Sequence, residues 1–187
     1  MLAGSVPSVK RIFATLLVIV VLGFSWWLDQ RPGSETAAND SGDSMPTAPA
    51  DAIKLRVDHI YDGDTLRAEV LTANSLVATN KEIKVRLIGI DTPEKGECWA
   101  DEARWELEKL APRGSTIWAA PDEEARDRYG RVLFNLWNKD GKFIQYELTR
   151  NGHAEALRVW PNVAHEKLLR AAQRAAERGN LGQWETC

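Results

Sequence analysis

The stretch that decides the fold is residues 85–94, which read Val-Arg-Leu-Ile-Gly-Ile-Asp-Thr-Pro-Glu. Apolar and polar residues alternate into it from position 83, which is the period of a β-strand with one buried face. Asp91-Thr92-Pro93 is typical of a turn that ends a strand, and Glu94 adds a second carboxylate. The pattern predicts a strand over 83–90 that carries Arg86 and ends in an acidic corner.

Four further strands and three helices are predicted around this segment. Alternating patterns predict strands over residues 53–60, 65–70, 116–120 and 132–137. Helical periodicity predicts helices over 96–110, 143–150 and 165–178, with Asn162 as a plausible N-cap of the last. Five short strands with an inserted helix favour a mainly β fold with α, a five-stranded barrel of the oligonucleotide-binding (OB) type, over a parallel α/β sheet.

A separate apolar segment precedes this domain. Residues 12–28 read IFATLLVIVVLGFSWWL, carry no charge and follow Lys10 and Arg11. A helix of that length nearly spans a hydrocarbon core of about 30 Å. Because the basic residues lie before the segment, we expect residues 1–11 to be cytoplasmic and the segment to be a single transmembrane anchor. A cleaved signal peptide is the alternative.

Both alternatives place the rest of the chain outside the cytoplasm. An anchored chain would face the periplasm or the cell surface, whereas a cleaved chain would be secreted. Residues 29–51 are rich in Pro, Gly, Ser, Ala and Asp, which predicts a flexible linker. The folded domain is therefore predicted over 52–187.

The composition excludes several classes of protein. The chain has 187 residues, of which 44% are hydrophobic and 27% are charged, which excludes wholesale disorder. Its formal net charge is −3, so charge alone would not hold it on nucleic acid. Its two cysteines have no zinc-site spacing, and its three histidines have no nucleophile context.

Three charged patches stand out along the chain. They are Asp62-Gly63-Asp64-Thr65, the corner that begins at Asp91, and Asp127-Arg128-Tyr129-Gly130-Arg131. Each patch alone is more simply a turn or a charged loop. Together they supply carboxylates for a hard divalent cation and guanidinium groups for phosphate oxygens. These are the groups that phosphodiester hydrolysis requires.

In this order, and with residues 162–170 and 180–184 following them, the three patches resemble the thermonuclease, or staphylococcal-nuclease-like, family. The resemblance covers about residues 54–184. It implies an OB barrel with three helices and Ca²⁺-dependent hydrolysis of DNA and RNA that leaves 3′-phosphate ends. A non-catalytic nucleic-acid-binding or protein-binding module on the same barrel is the alternative.

The resemblance also implies a role for each matching residue. The Ca²⁺ ligands would be Asp64, Asp91 and the carbonyl of Thr92. The catalytic residues would be Glu94, which activates water, and the two phosphate-binding arginines, Arg86 and Arg131. Tyr129 matches a family tyrosine near the nucleotide, and Arg128 beside it is a further expected substrate-binding residue. Arg158 and Trp160 stand where the family has tyrosines that border the nucleotide, and we expect them to stack on bases instead, with core packing as the alternative for Trp160.

Partners and cysteines complete these expectations. The expected partners are DNA or RNA and, through the N-terminal segment, a membrane; the chain is expected to be a monomer without a protein partner. Cys98 and Cys187 would either form a disulfide in an oxidising compartment or remain free thiols.

Overall fold

The structure, a computed structural model, describes residues 45–187. Its strands are β1 (Ile53–Ile60), β2 (Thr65–Val70), β3 (Glu82–Leu87), β4 (Ile90–Asp91), β5 (Thr116–Ala120), β6 (Val132–Trp137) and β7 (Glu155–Ala156). Its helices are α1 (Ala100–Leu110), α2 (Ile144–Arg150), α3 (Glu166–Arg178) and α4 (Gln183–Thr186).

Five of the strands form a closed barrel in the order β1-β2-β3-β6-β5, which β1 and β5 close. The β3–β6 pair is parallel, and the other pairs of the barrel are antiparallel. The predicted five-stranded barrel with three helices is confirmed, and α4 is a short additional helix. The two remaining strands, β4 and β7, pair with each other in a separate small sheet.

One face of each barrel strand fills the interior. Buried side chains of the five strands include Leu55, Leu66, Val85, Ile117, Phe134 and Leu136. Helix α1 packs with Ala103, Leu107 and Leu110, the face that its periodicity predicts. Removal of these apolar surfaces from water is the main stabilising contribution to the barrel.

A buried glutamine joins α2 to the barrel. Gln145 is fully buried, its Oε1 accepts a hydrogen bond from Leu136 N at 3.1 Å, and its Nε2 donates to Phe134 O at 3.1 Å. Because both polar atoms have partners, burial of the amide costs little and fixes α2 against β6.

The predicted third strand is interrupted in the structure. It ends at Leu87, and Gly89 turns the chain with φ of +79°. The next two residues, Ile90 and Asp91, then leave the barrel and pair with Ala156 and Glu155. The acidic corner therefore sits on its own small sheet at the side of the barrel.

The N-terminal end of the described chain contacts the barrel. Pro46 O accepts a hydrogen bond from Trp137 Nε1 at 2.7 Å, and Ala48 packs against the core. The folded unit therefore begins at Met45, within residues 29–51 that the sequence predicts as a linker. The predicted segment 12–28 lies outside the described residues. Within 45–187, none of the helices combines the length and the apolar character needed to cross a bilayer.

A disulfide ties the C-terminus to the start of α1. Cys98 and Cys187 are bonded, with their Cα atoms 6.0 Å apart. Close to this bond, Gln183 N donates to Gly152 O at 3.0 Å, and Trp99 Nε1 donates to His153 Nδ1 at 3.0 Å. Burial lowers the pKa of His153, which keeps its ring neutral and able to accept this bond.

Reduction of this disulfide is expected to destabilise the domain. The bond closes a loop with a sequence separation of 89 residues, so its loss increases the entropy of the unfolded chain. We expect a dithiol reductant to lower the free energy of unfolding in urea by about 2–4 kcal/mol. The Cys98→Ser/Cys187→Ser double variant should unfold at the same lower urea concentration with or without reductant. An unchanged wild-type midpoint in reductant contradicts this prediction.

Candidate active site

The site is built around a buried carboxylate at the turn between β1 and β2. Asp64 is 6% exposed, and Thr65 Oγ1 donates to its Oδ1 at 2.9 Å. The backbone N and the Oγ1 of Thr92 both donate to its Oδ2 at 3.2 Å. These bonds tie the turn to the acidic corner, although the two segments are 28 residues apart in sequence.

Arg86 lies between two carboxylates. Its Nη2 is 3.0 Å from Asp64 Oδ2 and 2.8 Å from Asp91 Oδ1, and its Nη1 donates to Leu87 O at 2.7 Å. The Arg86 side chain is mostly buried, whereas the side chain of Asp91 is 60% exposed. The predicted metal ligands Asp64 and Asp91 are therefore brought together with Arg86 at one point.

The electrostatics of Asp64 show that its charge is only partly compensated. Burial raises the pKa of the Asp64 carboxyl from 3.8 to about 6, although the positive charge of Arg86 acts in the opposite direction. The nearby carboxylates of Asp62 and Asp91 add to the rise. Additional positive charge at this position would stabilise the ionised carboxylate.

The donor atoms at this corner suit a hard cation. Among residues 45–187, no group of three or more His, Cys, Asp and Glu side chains is placed to hold a metal ion. The candidate set is instead the two carboxylates of Asp64 and Asp91 and the backbone carbonyl of Thr92, all oxygen donors of the kind that Ca²⁺ prefers. The incompletely compensated charge of Asp64 agrees with that chemistry.

Glu94 lies at the exposed end of the same corner. Its backbone N donates to Glu97 Oε2 at 2.7 Å, and Glu97 N donates back to Glu94 O at 2.8 Å. This reciprocal pair fixes the backbone of Glu94 and leaves its side chain exposed. A carboxylate in that position is open to water and substrate.

The second arginine is oriented by an aspartate of its own loop. Arg131 Nε donates to Asp127 Oδ2 at 2.6 Å, and Arg131 N donates to Asp127 Oδ1 at 2.9 Å. Burial alone would raise the pKa of Asp127, but the hydrogen bonds from Arg131 outweigh it and lower the pKa. The pair holds the guanidinium group at a fixed position beside β6.

Arg86 and Arg131 line one cavity of about 170 Å³. The cavity is also lined by apolar side chains, including those of Leu157 and Val159, which follow β7. Asn162 also lines the cavity. Its Oδ1 accepts a hydrogen bond from Glu124 N at 2.8 Å, and its Nδ2 donates one to Glu124 O at 2.9 Å. Asn162 therefore joins two loops, whereas His165 occupies the N-cap position of α3 for which Asn162 was predicted.

Four predicted substrate-binding residues lie outside the lining of this cavity: Arg128, Tyr129, Arg158 and Trp160. Arg128 donates from Nη2 to the hydroxyl of the exposed Tyr129 at 2.6 Å, and Arg158 pairs with Glu166 at 2.8 Å. Trp160 is 73% exposed, so it is not core packing. Sequence reasoning missed Leu157 and Val159, although the alternation of an extended segment places them on the face opposite Arg158 and Trp160.

Comparison with known proteins agrees with this geometry. Residues 84–186 match the family described as staphylococcal nuclease homologue. The chain is 30% identical over 143 residues to an uncharacterized endonuclease of Escherichia coli, a match that covers 75% of this chain and 82% of that protein. It is 27% identical over 174 residues to a thermonuclease of Staphylococcus intermedius, with 90% and 92% covered. It is also 28% identical over 141 residues to the endonuclease YhcR of Bacillus subtilis, covering 68% of this chain and 11% of that protein.

The paired carboxylates and the two arginines at the side of this OB barrel are the groups that phosphodiester hydrolysis requires. The chain belongs to the staphylococcal nuclease homologue family, and it is a nuclease by class.

Gly63 sets how closely α1 approaches the site. A Cβ atom at this position would lie 2.8 Å from both Ala103 Cβ and Thr92 Cγ2. Gly63→Ala should therefore displace the corner and lower the free energy of unfolding by about 1–3 kcal/mol, measured in urea. Gly179→Ala is the matched control, since its φ is −87° and its nearest new contact is 3.3 Å. Equal midpoints for the two variants contradict the proposed close packing.

Proposed function

We propose that the chain is a Ca²⁺-dependent nuclease that hydrolyses phosphodiester bonds of DNA and/or RNA and leaves 3′-phosphate ends. The observation that carries the proposal is the position of Arg86, which contacts both Asp64 and Asp91 and lines the same cavity as Arg131. The polarity of the products rests on the family resemblance.

The two arginines bind the scissile phosphate in this proposal. Their guanidinium groups donate hydrogen bonds to its non-bridging oxygens and neutralise the negative charge that grows there in the transition state. Asp127 keeps Arg131 oriented toward the cavity, so little reorganisation is needed during the reaction.

Glu94 activates the attacking water. Its exposed carboxylate accepts a proton from a water molecule that attacks phosphorus, and the bond to the 5′ oxygen of the next nucleotide breaks. The departing 5′ oxygen takes a proton from solvent. Because carboxylates are weak bases, we expect the rate to increase toward alkaline pH, as the hydroxide concentration increases.

Asp64, Asp91 and the carbonyl of Thr92 are the proposed Ca²⁺ ligands. When bound, the cation supplies positive charge that offsets the negative charge of the substrate phosphate. Arg86 contacts both proposed carboxylate ligands, so it links the metal site to the phosphate site.

We further propose that the domain acts outside the cytoplasm as a monomer, tethered by residues 12–28. The apolar, uncharged character of that segment supports anchoring. The Cys98–Cys187 bond supports an oxidising compartment, because disulfides persist there and are rare in the cytosol.

Removal of the proposed base or of a phosphate ligand should reduce the rate without unfolding the domain. Glu94→Gln keeps the size of the side chain but removes the base, so we expect kcat to decrease about 10²–10⁴-fold. Arg131→Ala should decrease it about 10²–10³-fold, since one donor to the transition state is lost. Initial rates on single-stranded DNA measure both effects.

Arg113→Ala is the matched control for these variants. The Arg113 side chain is 76% exposed and lies near Asp58, away from the cavity. It should keep the wild-type rate, and Arg113→Ala and Glu94→Gln should keep the wild-type urea midpoint. Full activity of Glu94→Gln excludes the role assigned to Glu94.

Plasmid digestion tests the proposed function as a whole. The purified full-length chain should cleave plasmid DNA in Ca²⁺ and lose this activity in a calcium chelator, with recovery when Ca²⁺ is restored. Direct phosphorylation of the products by polynucleotide kinase would demonstrate free 5′ hydroxyls, as expected when phosphate stays on the 3′ side. DNA binding without cleavage in Ca²⁺ would instead support the non-catalytic module.

A further inference from the structure

The strand register places four residues in one line across the wall of the barrel. Tyr61 N donates to Thr65 O at 3.0 Å, Thr65 pairs with Arg86, and Arg86 pairs with Leu133 of the apolar cavity. These four residues lie on β2, β3, β6 and directly after β1. At about 4.8 Å per strand, the backbone at Tyr61 is roughly 10 Å from that at Arg86.

A second cleft lies at the Tyr61 end of this line. It is lined by His59 and Tyr61 on one side, by Lys95 and Arg104 on the other, and by Pro93 of the acidic corner. Its volume is about 350 Å³, and it shares no lining residue with the cavity of Arg86 and Arg131. The acidic corner therefore lines this cleft through Pro93, and the cleft is distinct from the cavity of Arg86 and Arg131.

The Tyr61 ring is exposed and contacts one lysine and one histidine. Tyr61 is 41% exposed, and Lys84 Nζ lies 4.6 Å from the centroid of the Tyr61 ring. The His59 ring contacts it edge-on, with the centroids 4.7 Å apart. Tyr61 and His59 line the cleft, whereas Lys84 does not, so the cation lies outside the cleft beside the ring.

A bulge in β1 produces this arrangement. The register between β1 and β2 shifts between Val57 and His59, which turns His59 and Tyr61 outward while Ile60 stays in the core. Lys84 and Arg86 are two residues apart on β3 and share its outer face. The ammonium group of Lys84 therefore lies on the same face of the sheet as Arg86, beside the Tyr61 ring.

We propose that this cleft binds a nucleotide of the substrate strand on the side of the scissile phosphate opposite the Arg131 cavity. Tyr61 stacks on the base, and Lys95 and Arg104 contact the adjacent phosphate. Two acidic residues, Asp62 and Asp101, also line the cleft, but Asp62 Oδ1 is engaged by Asp64 N at 3.1 Å. The inference rests on the proposed nuclease function and extends it to a single strand that crosses β1, β2, β3 and β6.

Substrate length provides the test. OB folds contact about 4–16 nucleotides of a single strand, more than the Arg131 cavity can hold. Kinetics of the full-length chain are compared on an eight-nucleotide single-stranded DNA and on the nitrophenyl phosphodiester of one nucleotide. Tyr61→Ala should raise KM for the octanucleotide about 5- to 100-fold, because base stacking on an aromatic ring is lost. It should leave kcat, and both constants for the short ester, unchanged.

Three further variants make the result specific. Tyr61→Phe keeps the ring and should restore the wild-type KM, and Trp105→Ala removes an exposed aromatic ring outside the cleft and should have no effect. Lys95→Ala should raise KM for the octanucleotide and reduce its salt dependence, since one phosphate contact is lost.

The outcomes separate the inference from the proposed function. An unchanged KM of Tyr61→Ala for the octanucleotide, or an equal loss on both substrates, overturns the cleft assignment while leaving the nuclease intact. A wild-type chain that cleaves neither substrate in Ca²⁺ overturns the proposed function, and the cleft assignment with it.

Discussion

The ion pair between Asp64 and Arg86 is the interaction on which the site depends. It brings together the β1–β2 turn, strand β3 and, through Asp91, the corner that follows β4. Burial of a charged pair is costly, and removal of one partner leaves the charge of the other uncompensated in the interior. Arg86 therefore has a structural role as well as its proposed role toward substrate.

This interaction also explains why the third strand has to end early. A strand that continued straight to Ile90 would carry Asp91 along the barrel wall, away from Asp64. The turn at Gly89, with φ of +79°, redirects the chain, and Leu169 of α3 packs where a Cβ at Gly89 would lie. The small β4–β7 sheet then holds the corner in place.

The sequence predicts the barrel strands well because each has a regular alternation with one buried face, as in Ile53–Ile60 and Val132–Trp137. Short motifs also give the candidate site residues Asp64, Arg86 and Arg131; the structure places Arg86 against Asp64 and in one cavity with Arg131. The sequence does not predict contacts that arise only from tertiary packing. The two-residue strands β4 and β7 are too short to show a periodicity. The hydrogen bonds between Asn162 and Glu124 join segments that are 38 residues apart, which no local pattern indicates.

The charges at the site explain how a chain with a net charge of −3 can act on a polyanion. Asp64 and Asp91 contact Arg86, and Asp127 contacts Arg131, so both arginines are already paired with carboxylates. With Glu94 added, carboxylates outnumber guanidinium groups, and the bare corner would repel a phosphodiester. A divalent cation at Asp64 and Asp91 would remove that repulsion and release Arg86 toward the phosphate. Substrate binding and metal binding should therefore be mutually dependent, because each supplies charge that the other needs.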